Sequence, residues 1–453
     1  RQTGSTNRGN LMNRDVCRLF LALTVLLAGC GVEHDPRPNI ILISIDTMRA
    51  DHLGCYGYAR NTSPVIDSLA AAGIMFSHFQ AQAPHTTPAH ATIWTGLSVA
   101  AHGAGTRDGL NYGLDPELPN IATVLKEAGY ITLGMVNVSI LCNDYGFATG
   151  FDYYSWNENG AGRAGETVDE YLRWLDENRG NPAPVFCLMH LYDVHSPYDP
   201  PAPFDSLYCP GGSGGVVGWS FDSLTHAVTN PEDRDHLVNL YDGEISWVDS
   251  QIGRLISELH ARGLDENTLI IITADHGEEF LEHGGWGHSH ALWQEILHVP
   301  LIICGPGIPS GAVDSINAGQ FDILPTVCGY LDIEPPAAVE GVDLLDSVPR
   351  PADRIIPSSR VGMDKVFHWG VEGSEGLVCV LVEGMKAVRN YTDGDPGAMY
   401  NLDADPSEMN PLDVSEEMGW SLDQYWTTPR VGHPTASNSD AIAEQLHNLG
   451  YIR

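Results

Sequence analysis

Pro38-Asn39-Ile40-Ile41-Leu42-Ile43-Ser44-Ile45-Asp46 is a run of aliphatic residues that ends on a carboxylate. A strand that is apolar on both faces belongs inside a parallel sheet whose two sides are covered by helices. Comparable runs recur at 131–136, 185–191, 268–273 and 299–303, and amphipathic helical patterns fall at 64–72, 121–128, 166–178, 234–262 and 322–330. This alternation predicts an α/β fold, a doubly wound and mainly parallel sheet flanked by helices. Asp46 follows the first strand and Asp275 follows the strand 268–273, so both carboxylates are expected at the carboxyl edge of one sheet, where open α/β folds bind ligands.

The chain has 453 residues, and its 43% hydrophobic content supports a large core. Past a hinge at Pro335-Pro336-Ala337-Ala338, strand-like runs at 376–382 and 385–389 predict a small mixed or antiparallel sheet, and 441–449 reads as a packing helix. The division expected is a large domain over 36–335 and a small α+β subdomain over 336–453. A glycine-rich insertion between Asp205 and Ser220 reads as a surface loop at the substrate entrance.

The formal charge is −36, from 59 acidic against 23 basic residues, which argues against nucleic acid and anionic membrane surfaces as partners. A small anionic substrate is repelled globally, so local positive charge from a metal, His and Arg has to prevail at its site. At the N-terminus Met12, Arg14 and Arg18 precede an apolar run, 19–27, of signal-peptide length. It ends in Leu27-Ala28-Gly29-Cys30, which resembles a bacterial lipobox; residues 1–35 are accordingly expected to be signal, lipidation site and tether. That implies an exported lipoprotein of the outer membrane, periplasm or cell surface, held by its lipid anchor alone. Seven cysteines then remain, an odd number that cannot all pair, and they lack zinc-site spacing.

His85-Thr86-Thr87-Pro88-Ala89-His90-Ala91-Thr92-Ile93-Trp94-Thr95-Gly96 places a hydroxyl at the start of a helix, because Pro88 fits the first turn. Unpaired N–H groups and the positive end of the helix dipole stabilise an alkoxide there and attract an anion. An ordinary cap by Thr86 or Thr87 is the plain alternative.

Thr86-x-Pro88-Ala89-His90, followed by Thr95-Gly96, resembles the signature of the sulfatase family, within the alkaline phosphatase superfamily, with every spacing kept. Three further blocks resemble that family in the same order. They are Pro38 to Asp46 with Leu53-Gly54-Cys55-Tyr56-Gly57, Thr273-Ala274-Asp275-His276-Gly277 with His283, His288 downstream, and Tyr400-Asn401-Leu402-Asp403-Ala404-Asp405-Pro406-Ser407-Glu408. The chain departs from the family where Thr86 replaces the Cys or Ser that becomes formylglycine, so the hydrated-aldehyde mechanism is closed to it. His90 replaces an Arg, Thr47 replaces the second Asp of an Asp-Asp pair, and Val136-Asn137-Val138-Ser139 stands where a Lys- and His-bearing block is expected.

The resemblance implies an alkaline phosphatase-like fold with a catalytic domain over 36–335, and a metal-dependent hydrolase of anionic sulfate- or phosphate-type esters. Asp46, Asp275, His276 and Thr86 are the expected ligands of a divalent ion, calcium, manganese or zinc, and Thr86 the nucleophile that forms a covalent ester. His90 is expected to steady the nucleophile, His195 to contact the leaving-group oxygen, and His288 to bind the substrate. His190, His283 and His290 are weaker candidates for support. A strict phosphodiesterase or phosphonate monoester hydrolase, or a binding lipoprotein without catalysis, remains the alternative on the same fold.

Overall fold

The computed structural model describes residues 35–107, 110–157, 163–209, 231–360, 376–391, 394–433 and 436–437. Its central sheet comprises β1 (Asn39–Ile45), β2 (Ile74–Phe76), β3 (Ile131–Val136), β4 (Tyr153–Trp156), β5 (Val185–Leu191), β6 (Thr268–Ala274), β7 (Leu301–Cys304) and β8 (Ala312–Asp314). Their spatial order is β8-β2-β7-β6-β1-β5-β3-β4. β6, β1, β5, β3 and β4 pair in parallel, and β7 runs antiparallel to both of its neighbours. The strand expected at 299–303 begins instead at Leu301, since Pro300 has no N–H for a ladder and the Val299 N–H is spent on the Phe79 carbonyl.

Helices α1 (Pro64–Ala72), α2 (Thr86–Thr95), α3 (Ile121–Glu127), α4 (Ala164–Glu177), α5 (Pro231–Ala261) and α6 (Ile323–Tyr330) connect and cover these strands. Local chemistry fixes where several begin. The Asn120 side chain accepts from the Ala122 and Thr123 N–H groups while the Asn120 N–H donates to Thr123 Oγ1, which closes a capping box on α3. Asp249 of α5 accepts the Val65 and Ile66 N–H groups at the start of α1.

β1, β5 and β6 are almost wholly buried, which is what their unbroken apolar runs required. The C-terminal subdomain is an antiparallel sheet of β9 (Ile356–Arg360), β10 (Leu377–Val382), β11 (Met385–Asn390) and β12 (Ala398–Asn401), with α7 (Glu416–Trp426) packed on Val378, Val380 and Ala387 through Met418, Leu422 and Tyr425. The stretch 441–449, most of the glycine-rich insertion and residues 1–34 lie outside the described residues. Cys55, Cys142, Cys187, Cys209, Cys304, Cys328 and Cys379 are all free thiols.

A buried ion pair fastens the subdomain to the large domain. Lys386 Nζ lies 2.7 Å from Glu408 Oε1 and donates to the Leu292 carbonyl, and Glu408 Oε2 accepts the Gln294 N–H at 2.7 Å. Lys386→Met leaves a buried carboxylate without its counter-charge, so it is expected to cost about 3–5 kcal/mol of unfolding free energy. A denaturant titration measures this, and Lys386→Met combined with Glu408→Gln is expected to recover part of the loss.

Candidate active site and metal centre

Ile45 of β1 pairs with Leu191 on one side and Ala274 on the other, so Asp46 and Asp275 leave the sheet side by side. Both are completely buried. Thr47 follows with φ 52°, a left-handed conformation that a branched side chain resists. This turn aims the Thr47 N–H at Asp275 Oδ1, 3.1 Å away, and turns its hydroxyl onto the Val194 carbonyl at 3.0 Å. The residue at the second-Asp position is therefore occupied with backbone.

The His276 N–H also donates to Asp275 Oδ1, at 2.8 Å, so that oxygen is satisfied while Oδ2 accepts nothing. Asp46 is divided in the same way, with Oδ2 lying 3.2 Å from His190 Nε2 and Oδ1 without a partner. His276 donates its Nδ1–H to the Gly277 carbonyl at 3.0 Å, a tautomer assigned from that bond, which turns the Nε2 lone pair inward. Nε2 faces Asp275 Oδ2 at 3.4 Å, Asp46 Oδ1 at 4.0 Å and Thr86 Oγ1 at 3.4 Å.

Two orphaned carboxylate oxygens, one imidazole lone pair and one hydroxyl thus converge, and the ligand atoms of Asp46, Asp275 and His276 lie within 4.8 Å of one another. Burial pushes both carboxyl groups above their usual range, and the Asp46 charge pushes Asp275 further. A buried, half-satisfied carboxylate pair is costly by itself. The donor set fits a hard or borderline divalent cation, which would satisfy every orphan at once.

His90, His190 and Asp275 also have ligand spacing. The two rings are committed elsewhere, however. His90 donates Nδ1–H to the Thr86 carbonyl at 2.8 Å and accepts the Ser44 hydroxyl on Nε2 at 3.0 Å. His190 accepts the Asn137 N–H on Nδ1 at 3.4 Å, leaving its Nε2–H for Asp46. Burial drives His90 down to about 3 and His190 to about 4, which keeps both neutral at physiological pH. One cation suits this geometry better than two. His190 is bonded to Asp46, and His90 to the backbone of Thr86, away from its hydroxyl.

α2 starts at Thr86 with His85 as its cap residue, and no side chain caps it. The Thr86 hydroxyl is directed at His276 instead. All ten residues of α2 are buried, and the helix stops at Gly96, whose φ of 68° is the left-handed turn expected of a C-terminal glycine. A Cβ at Gly96 would stand 3.0 Å from Val339 Cγ1, a second reason for glycine there.

His85, His195 and His288 gather beside His276. The His288 ring centre lies 4.4 Å from that of His276, 5.1 Å from His195 and 6.4 Å from His85. The Tyr192 hydroxyl at 2.8 Å and the Ser196 carbonyl at 2.6 Å fix His195 through Nδ1. Burial lowers all three imidazoles, His85 to about 3. His290 and His283 sit further out, with His290 Nε2 2.6 Å from Glu279 and His283 stacked on Trp293 at 3.9 Å.

Sequence reading missed Gln320. Its fully buried amide donates to the Ala274 and Asp275 carbonyls at 2.9 and 2.6 Å and accepts the Gln82 N–H at 3.1 Å, tying the Asp275 turn to the segment that leads to Thr86. A single polar residue ahead of a helix gives no sequence signal for such a role. Gln320→Leu is expected to lose roughly 1–3 kcal/mol of stability from its stranded partners. It is also expected to weaken divalent-ion binding, read by thermal melts with and without chelator.

The sequence profile of the Sulfatase family matches residues 38–333, which holds every residue of this site. An arylsulfatase of Clostridium perfringens is 26% identical over 85% of this chain and 92% of its own length. A Delta 4,5-hexuronate-2-O-sulfatase of Bacteroides thetaiotaomicron is 23% identical over 85% of this chain and 86% of its own length. Among solved structures, the phosphonate monoester hydrolase of Agrobacterium radiobacter superimposes with a TM-score of 0.67 at 22% identity, covering 86% of this chain and 94% of that one. With the profile running unbroken from the strand that delivers Asp46 to the helix behind Gln320, this chain belongs to the sulfatase family of ester hydrolases.

Proposed function

We propose that this chain is a metal-dependent hydrolase of small anionic sulfate- or phosphate-type esters that works through a covalent ester on Thr86. The observation that carries the reading is the convergence of Thr86 Oγ1 with His276 Nε2 beside the two orphaned carboxylate oxygens. A divalent cation held by Asp46, Asp275, His276 and Thr86 would acidify the hydroxyl and draw charge from the substrate.

Thr86 Oγ1 forms a bond to the sulfur or phosphorus as the bond to the ester oxygen breaks in line with it. Thr86 gives up its proton to solvent and the departing oxygen takes one up from water, so the protons balance, while His195 lies against that oxygen and His288 donates to the anion. Water then cleaves the threonine ester, which restores the hydroxyl and releases the sulfate, phosphate or phosphonate. His90 and His190 keep the first turn of α2 and Asp46 in register meanwhile.

Thr86 itself favours phosphorus. A formylglycine adduct can expel sulfate through its neighbouring hydroxyl, whereas a threonine sulfate has no such exit and depends on water alone. The similarity to a phosphonate monoester hydrolase supports the same reading. The test is turnover of an aryl sulfate, an aryl phosphodiester and an aryl phosphonate monoester by metal-loaded protein. Absence of a bound divalent ion together with no turnover of any of the three would leave only the non-catalytic alternative. Leu27-Ala28-Gly29-Cys30 further supports export with lipidation at Cys30, which radiolabelled palmitate incorporation with a Cys30→Ala control checks.

A further inference from the structure

The C-terminal subdomain reaches into the active site through the end of β9. Ser358 Oγ donates to the Ala81 carbonyl at 2.7 Å, and the Ser359 N–H donates to the Gln82 carbonyl at 2.9 Å, so β9 lies along the segment that leads to Thr86. Arg360, the next residue, is 1% exposed and donates Nε–H to the Ser289 carbonyl. Ser289 in turn donates its N–H to the Pro84 carbonyl at 2.9 Å, two residues before Thr86, and holds a left-handed φ of 75°.

We propose that Arg360 is a positioning residue of the active site, which fixes the turn carrying His288 against the Thr86 segment and supplies the permanent positive charge that an anionic ester group requires. Asp46 and Asp275 together offset a divalent cation, so the metal centre alone brings no net charge to attract an anion in a chain of formal charge −36. Imidazoles carry charge only when protonated, whereas a guanidinium keeps its charge in a buried setting. Arg360 brings that charge to the turn that carries His288. The subdomain is then part of the substrate site, beyond its role as a packing unit. This inference rests on the ester-hydrolase reading above.

The test compares Arg360→Gln, which removes the charge at similar length, with Arg360→Lys, which retains it, in the full chain purified with its divalent ion. Melting temperatures establish that both are folded, and a folded Arg360→Met replaces the Gln variant if that one fails. Without the charge, KM for the ester and the inhibition constant of inorganic phosphate are expected to rise roughly 10- to 100-fold, with a smaller change in kcat. Arg360→Lys is expected to recover most of that loss.

Unchanged KM and phosphate affinity in the charge-free variant would overturn the proposal, and so would equal impairment of both variants. If wild-type protein binds phosphate by calorimetry but turns over no ester, the hydrolase reading fails and Arg360 is judged on phosphate binding alone. If wild-type protein turns over esters and Arg360→Gln is indistinguishable from it, only the Arg360 inference fails.

Discussion

Thr86→Ala is expected to abolish turnover, lowering kcat by at least about 1,000-fold, because no other hydroxyl stands at the convergence point of Asp46, Asp275 and His276 among the described residues. The substitution removes one hydroxyl and one methyl from a buried helix without breaking a cap, since the Thr86 side chain caps nothing. The ring contact from His90 goes to the Thr86 carbonyl and survives. Folding is therefore expected to persist, with a melting temperature within a few degrees of wild type and a modest loss of divalent-ion affinity. Steady-state kinetics on the best of the three aryl esters, beside a thermal melt, checks both halves. A folded variant with full activity would remove Thr86 from the chemistry.

Asp275→Asn has the second-largest expected effect, and its sign reverses with the metal. The amide oxygen keeps the two N–H donors that Thr47 and His276 direct at Oδ1. The new NH2 replaces the orphaned Oδ2 and ends the repulsion between two buried carboxylates. In chelator the variant is expected to be about 1 kcal/mol more stable than wild type. With divalent ion at about 100 times its dissociation constant, wild-type protein gains roughly 2.7 kcal/mol and the variant little of it, so the order inverts. Paired melts in chelator and in excess ion read the inversion, and turnover falls with the lost ion. An Asp275→Asn protein less stable than wild type in chelator would argue that the carboxylate is structural.

Much of this was legible in the sequence because the deciding signals are local. The apolar run before Asp46 specifies a strand buried on both faces, and β3, β5 and α1 fall where periodicity places them. Asp46 and Asp275 could be joined because a parallel sheet puts the ends of its strands on one edge. What was illegible depends on partners far away in the chain. β2, β4 and β8 are three or four residues long, too short for any period to show. The target of the His90 ring, a carbonyl one turn back, cannot be read from its place in a signature. Gln320 and Arg360 matter through backbone groups more than 40 residues away, a link that only the folded chain makes.

The most direct measurement is rapid acid quench of the wild-type protein during turnover, followed by mass spectrometry of the peptide that contains Thr86. A phosphoryl or sulfuryl increment on Thr86 is expected to appear with substrate, to decay as substrate is exhausted and to be missing from Asp275→Asn. The same increment on another side chain, or product formation with no adduct at any quench time, would contradict this expectation.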